Sequence, residues 1–377
     1  MSKKTLSRTL KISLLLAAGV YMAWFVYQVL DYTRPEDRSS FYPNEIIGIY
    51  HIHSHFSDGK KDLNYIIKAA DQSQADFLIL TDHGNLNLNS LQASGFKSNV
   101  LVLGGSELSL NRGHLVVMGL PPPFFPFSHT AEEAGYQIKQ KKGFSVIAHP
   151  YSKNRWSWDK KNPYSGMEII NADSMLKSSF PGIIPYLPFL LIKPEITALK
   201  MLHSPRTNLM KWDSINLQRP FYGYYAADAH MFYNALFQLL RLHIPLNEAL
   251  SSDYQTAASQ IYSALAQGRF FNSIDGAADA SGFRFWGENK NRRISMGSTA
   301  AFEPGTILHI QLPGPQTCKA RLIHNGFPVP IHSGKHIRFK ADKPGFYRVE
   351  VYLSNSRLSE SCPWILSNPI FFEEKSQ

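Results

Sequence analysis

The chain has 377 residues, 44% of them hydrophobic, enough for one large domain with a packed core and a smaller second one. Its formal net charge of +10 favours a phosphorylated substrate or an anionic membrane surface. No compact Lys/Arg run with interleaved aromatics supports nucleic-acid binding.

Part of the charge is local. Lys3, Lys4, Arg8 and Lys11 precede residue 12, residues 1–30 hold no Asp or Glu, and the remainder carries 35 basic against 29 acidic residues. Residues 12–30 are almost wholly apolar, with Gln28 the one strongly polar residue, and about 20 such residues cross a bilayer core. Asp31, Arg34, Glu36, Asp37 and Arg38 follow. The positive-inside rule puts the tail 1–11 in the cytoplasm and the main chain outside, in the cell (inner) membrane of a two-membrane envelope. An uncleaved signal anchor is expected. The alternative is a cleaved signal peptide, but Trp24, Phe25 and Tyr27 stand where cleavage needs small residues. Residues 31–43 read as a linker.

Residues 46–59 read Ile-Ile-Gly-Ile-Tyr-His-Ile-His-Ser-His-Phe-Ser-Asp-Gly, bounded upstream by Pro43-Asn44. The first half predicts a buried strand. Alternation along a strand points His51 and His53 the same way, and two imidazoles on one face can grip a metal ion. An isolated His-x-His is more often structural, but here Ser57-Asp58-Gly59 adds a turn and a carboxylate. A helix is predicted over 62–74 from the spacing of Leu63, Ile66, Ile67 and Ala70. A strand over 76–80 ends in Thr81-Asp82-His83, and one over 100–103 precedes Glu107. Gly113-His114-Leu115 opens a further strand, and residues 143–149 read as a strand ending in His149 before Pro150. Glu168 and Asn171 flank a strand over 166–171 and read as structural groups, and the last motif is Asp228-x-His230. Strands alternating with helical stretches predict a parallel α/β fold, with these residues at C-terminal strand ends as in a barrel.

The first motif resembles that of the PHP (polymerase and histidinol phosphatase) family of metal-dependent phosphoesterases. The later motifs, Thr-Asp-His, Gly-His-Leu, Ala-His-Pro and Asp-x-His, are similar to that family's in the same order. The resemblance covers roughly residues 44–275. It implies a distorted (β/α)7 barrel of PHP type within a domain over 44–285. It also implies the ligand set His51, His53, Asp58, His83, Glu107, His114, His149, Asp228 and His230, holding two or three divalent ions (Mn, Fe or Zn). His51, His53, Glu107 and Asp228 would hold one ion, and Glu107, His114 and His149 a second. Asp58, His83 and His230 would complete a third site. Glu107, Asp228 and His230 would be catalytic, and Asp82 would orient a neighbouring His. The implied activity is hydrolysis of a small phosphate ester by a metal-bridging hydroxide. A carbamate or ester hydrolase on the same site, and a non-catalytic metal-containing envelope binding protein, are the alternatives.

The remaining features stand outside the motifs. His55, His129, His203, His243, His324, His332 and His336 read as surface residues. Lys153, Arg155, Trp156 and Trp158 read as contacts for a substrate phosphate or its leaving group. Residues 180–192, Phe-Pro-Gly-Ile-Ile-Pro-Tyr-Leu-Pro-Phe-Leu-Leu-Ile, are too short to span a membrane. They read as a loop and helix on the barrel rim or, more sharply, as a membrane-facing lip. Residues 286–377 alternate apolar and polar with Gly/Pro turns and predict a small β-sandwich domain. Cys318 and Cys362, with 43 residues between them, could pair outside the cytoplasm or stay two thiols.

Overall fold

The computed structural model describes residues 3–33, 42, 44–152, 155–158, 163–290, 292–314, 316–354 and 356–374. Arg34, Glu36, Asp37, Arg38, Pro43 and Lys153 lie outside the described residues. The fold is mixed α/β, with one large sheet, a separate antiparallel sheet and an apolar N-terminal helix.

A run of seven strands positions the site. Glu45–Ile52, apolar and buried along its length, pairs in parallel with Phe77–Leu80, which pairs in parallel with Val100–Leu110. The helix between the first two strands, Leu63–Gln72, is capped by Asp62, whose carboxylate accepts the Tyr65 N–H at 2.8 Å, and it buries Ile66, Ile67, Ala69 and Ala70. Gly113–Met118 and Phe144–Ile147 follow antiparallel, then Gly166–Asn171 and Tyr222–Ala226 in parallel. Bonds from beyond the seventh strand return to the first. Ala227 N–H donates to the Tyr50 carbonyl at 3.0 Å, Ala229 N–H to His51 at 3.2 Å, and His53 N–H to Ala229 at 3.1 Å.

The wholly parallel order expected from the alternation is broken at the fourth strand. Only Asn111 and Arg112 separate Leu110 from Gly113, whereas parallel neighbours need a crossover of about a dozen residues or more. The third strand is also longer than expected and runs through Glu107 instead of stopping before it.

On its other edge the first strand pairs antiparallel with Arg241–Pro245, followed by Phe271–Ser273, Ile365–Ser367 and Gly345–Leu353. The C-terminal strands therefore extend the main sheet. The second sheet, built of Arg284–Asn289, Arg292–Ser295, Ile307–Gln311 and His336–Lys340, shares one buried apolar cluster with them through Phe285, Leu308, Ile310, Leu322 and Val349. Cys318 and Cys362 are free thiols, so the disulfide considered above is not formed; burial pushes the Cys362 thiol up to about 12.

The helix Lys3–Asp31 contains an apolar stretch, Leu10–Asp31, long enough to cross a membrane. Residues 180–192 form a 3-10 helix, Ile184–Leu191, against the end of that helix. Phe189 is fully buried, its ring stacked on Phe25 at 4.3 Å and edge-on to Trp24 at 5.6 Å.

Candidate metal centre

All nine residues of the expected ligand set converge at one end of the seven-strand run. The innermost donors are His51 Nε2, His53 Nε2, Glu107 Oε2 and Asp228 Oδ1. The two nitrogens are 3.1 Å apart, and each lies 3.2 Å from Glu107 Oε2. Asp228 Oδ1 lies 3.5 Å from the His51 nitrogen and 3.4 Å from that of His53. Four donors set tetrahedrally about 2.1 Å from one ion would be about 3.4 Å apart. His51 Nδ1 lies 2.6 Å from Glu168 Oε1, the geometry of an N–H donor, which leaves a lone pair on Nε2 facing two carboxylate oxygens. A proton on Nε2 would satisfy those oxygens too, but one divalent cation would meet all four donors at once, so the residues fit a metal ion.

The other Glu107 oxygen, Oε1, faces His114 Nδ1 at 2.9 Å and His149 Nε2 at 3.0 Å. His83 Nδ1 sits 3.2 Å from Glu107 Oε2 but without hydrogen-bonding geometry, as two groups aimed at a common third point would. The outer group is Asp58 with His230 Nε2 at 3.3 Å and His83 Nε2 at 3.8 Å. Exposure is graded: His51 and His53 are fully buried, whereas His230 is 26%, His83 31% and Asp58 54% exposed.

The backbone supplies part of this convergence. His51, His149 and Asp228 all have positive φ, at 67°, 29° and 43°. Simple strand alternation, invoked above for the His pair, is therefore not what aims His51. The register shifts between Ile49 and Ile52, and the bulge turns His51 inward. Such conformations cost about 1–3 kcal/mol each and persist where the surroundings hold them. Gly59 of Ser-Asp-Gly has a separate reason: a Cβ there would lie 2.3 Å from the His53 carbonyl oxygen. Only glycine lets the Asp58 loop fold back so closely.

Electrostatics follow from the packing. Burial would raise the Glu107 carboxyl, but His51 and hydrogen bonds from His114 and His149 outweigh it and hold it well below the usual range. Asp228 is likewise held low against burial by His51 and His53. Burial would lower His53, yet Asp228 and Glu107 lift it to about 9. His83, with less carboxylate contact, is lowered by burial.

Several supporting groups differ from expectation. Among the described residues no hydrogen bond joins the Asp82 carboxylate to a histidine; it accepts from Ser54 N at 2.7 Å, Ser54 Oγ at 2.9 Å, Ser57 Oγ at 2.6 Å and Ser90 Oγ at 2.6 Å, pinning the loop after the first strand. Glu168 Oε2 accepts from His149 N–H and Asn171 Nδ2, each at 2.7 Å, and Asn171 also donates to Asp228 Oδ2 at 3.0 Å. Tyr233, not singled out from the sequence, places its hydroxyl 2.8 Å from the His53 carbonyl and 3.0 Å from that of His230. No local pattern marks it, because its partners lie in the first and last motifs. His243 is not a surface residue. It is fully buried between Glu45 at 2.8 Å and Asp275 at 3.1 Å. His55, His129, His203, His332 and His336 are exposed, and His324 is half-buried, stacked on Tyr347. Trp156 is a core residue packed edge-on against Tyr164, Trp158 is half-buried under Lys211 Nζ, and Arg155 is exposed. A cavity of about 1200 Å³ lies apart from the nine donors, around Glu45, Arg269, Arg284 and Arg293.

No family model and no curated protein matches the chain. Several solved structures are similar to it, three of which follow. A two-domain protein from Bacteroides vulgatus, containing a predicted PHP-like metal-dependent phosphoesterase, shares 13% identity with a TM-score of 0.41 over 90% of this chain and 99% of its own. A protein from Bifidobacterium adolescentis, assigned as a metal-dependent phosphoesterase, shares 12% with a TM-score of 0.32 over 61% and 97%. An amidohydrolase from Chromobacterium violaceum, with bound sulfate and no metal, shares 15% with a TM-score of 0.29 over 48% and 87%.

Proposed function

We propose that the chain is a PHP-type metal-dependent hydrolase that cleaves a phosphate ester, held to a membrane by its N-terminal helix. The observation that carries this reading is Glu107, fully enclosed, with one oxygen turned to His51, His53 and His83 and the other to His114 and His149. A closed structural site normally uses four ligands; nine donors around a shared carboxylate, open on one side, suit a centre that admits substrate. Divalent ions bound there would supply Lewis acidity, activating water and neutralising phosphoryl oxygens.

The chain's own residues do the rest. Glu107 and Asp228 remain ionised inside a ring of imidazoles, so two negative charges face the place an ion would take. Glu168 fixes the His51 tautomer from behind. His230, at the exposed rim beside Asp58, is placed to hold or pass a proton at a leaving oxygen. The hydrogen bonds from Ala227 and Ala229 to the first strand support reading the seven strands as a distorted barrel. The basic tail and the packing of Trp24 and Phe25 on Phe189 support an uncleaved anchor over 12–30, with the chain that follows it outside the cytoplasm.

The test is a panel of phosphate mono- and diesters, with carbamate and carboxylate esters alongside, assayed on metal-loaded full-length protein. Glu107→Ala and Asp228→Ala should each abolish phosphate-ester hydrolysis with the fold retained. Normal turnover in either variant, at unchanged metal content, overturns the assignment, and turnover of carbamates alone moves it to the alternative class.

A further inference from the structure

We infer that residues 180–192 are seated in the outer leaflet beside the anchor helix, so that the metal centre takes a phosphate ester carried on a lipid. The inference rests on the phosphoesterase and anchor readings above and adds the class of substrate.

The segment carries no charge along 13 residues. Two of its side chains, Ile183 and Phe189, are deeply buried; Phe189 is covered partly by Trp24 and Phe25 of the N-terminal helix, and Tyr21 Oη donates to the Pro185 carbonyl at 2.9 Å. Four others turn outward: Leu191 is 91%, Ile192 59%, Ile184 52% and Phe180 51% exposed. Large apolar side chains left this open, continuous with an apolar helix, form a patch that water does not favour.

Length decides what covers it. Among the described residues, 10–20 of the apolar stretch Leu10–Asp31 are exposed, about 16 Å of helix before the bond from Tyr21. A bilayer core is about 30 Å thick. The helix therefore spans only if the turns from Tyr21 onward are also inside, and those turns carry residues 180–192 with them. Polar groups gather just beyond. Lys193 Nζ donates to the Tyr32 carbonyl at 3.3 Å, and Arg357 pairs with Asp31 at 2.6 Å, a layer suited to headgroups.

The metal centre is close by. Asn171, which donates to Asp228 Oδ2, also caps the helix Ala172–Ser178 by accepting the Ser174 N–H at 2.9 Å. That helix is about 10 Å long and ends two residues before Phe180. A headgroup phosphate beside the embedded segment is thus within a short reach of the donors.

The test uses full-length protein in phosphatidylcholine vesicles. Photoreactive benzoylphenylalanine in place of Leu191 should give a lipid adduct on irradiation, and the same group in place of Phe327, 74% exposed on the C-terminal strands, should not. No adduct at 191, or an adduct to another protein, overturns the seating. In the second arm, Leu191→Asp with Ile192→Asp should lower turnover of vesicle-borne phosphatidic acid at least tenfold and leave that of p-nitrophenyl phosphate unchanged. Equal effects on both esters, or none, overturn the lipid-substrate claim. If the wild-type protein hydrolyses neither ester, the phosphoesterase reading and the lipid-substrate claim fall together, and the adduct alone decides the seating.

Discussion

Replacing Glu168 by Gln tests whether the metal centre depends on the carboxylate behind it. Glu168 is fully buried, with one oxygen 2.6 Å from His51 Nδ1 and the other accepting from His149 N–H and Asn171 Nδ2 at 2.7 Å each. Gln keeps the shape but offers one oxygen and one NH2, so at least one buried donor then faces a donor. An unsatisfied buried group costs about 1–3 kcal/mol of stability. Losing the partner that orients a ligating histidine typically costs about 10–100-fold in metal affinity, or about 1.4–2.7 kcal/mol. Chelator competition with Mn and Zn on the full-length variant should show that loss, with the circular dichroism spectrum retained. Saturating metal should restore most of the hydrolysis, because Glu168 touches no reacting group. Wild-type affinity in a folded variant refutes the reasoning. Activity that stays lost at saturating metal would place Glu168 in the chemistry itself.

Three further outcomes are expected. Gly59→Ala pushes a methyl against the His53 carbonyl, displaces the Asp58 loop and should lower the number of metal ions bound per chain while the inner donors keep theirs; an unchanged metal count, read by mass spectrometry of the metal-loaded protein, would sink this account. For His243, burial alone would lower the imidazole, but Asp275 and Glu45 lift it to about 9. The folded value exceeds the unfolded one of about 6.5, so its stabilisation is complete below pH ~6.5 and is lost as pH rises toward 9, on the order of 3 kcal/mol. Arg241 and Arg284 also face this network, and Glu45 and Asp275 titrate only in acid, so urea midpoints between pH 6.5 and 9 should fall more steeply in the wild type than in His243→Gln, which keeps the fall due to His53. A flat wild-type profile contradicts it. Finally, a reporter active only outside the cytoplasm, fused after Gln377, should be active on a protein that stays with membranes after a high-salt wash; a shortened soluble product would favour the signal peptide.

The sequence by itself determined the chemistry-bearing residues and most of the elements that carry them. His51-x-His53, His83, His114, His149 and Asp228-x-His230 could be picked out because each closes or opens a short apolar run and because the motifs, in order, resemble those of the PHP family. The helix Leu63–Gln72 and the strand Cys318–His324 were legible for the same reason. What the tertiary structure decided is who meets whom. His51 points inward through a bulge, Asp82 holds serines instead of a histidine, and His243 lies buried between two carboxylates from Glu45 and Asp275. The C-terminal strands join the main sheet through Phe271–Ser273. These outcomes depend on strand pairings between residues far apart in the chain, some by more than 100 positions. Hydrophobic periodicity specifies which face of an element is buried, but not which partner covers it.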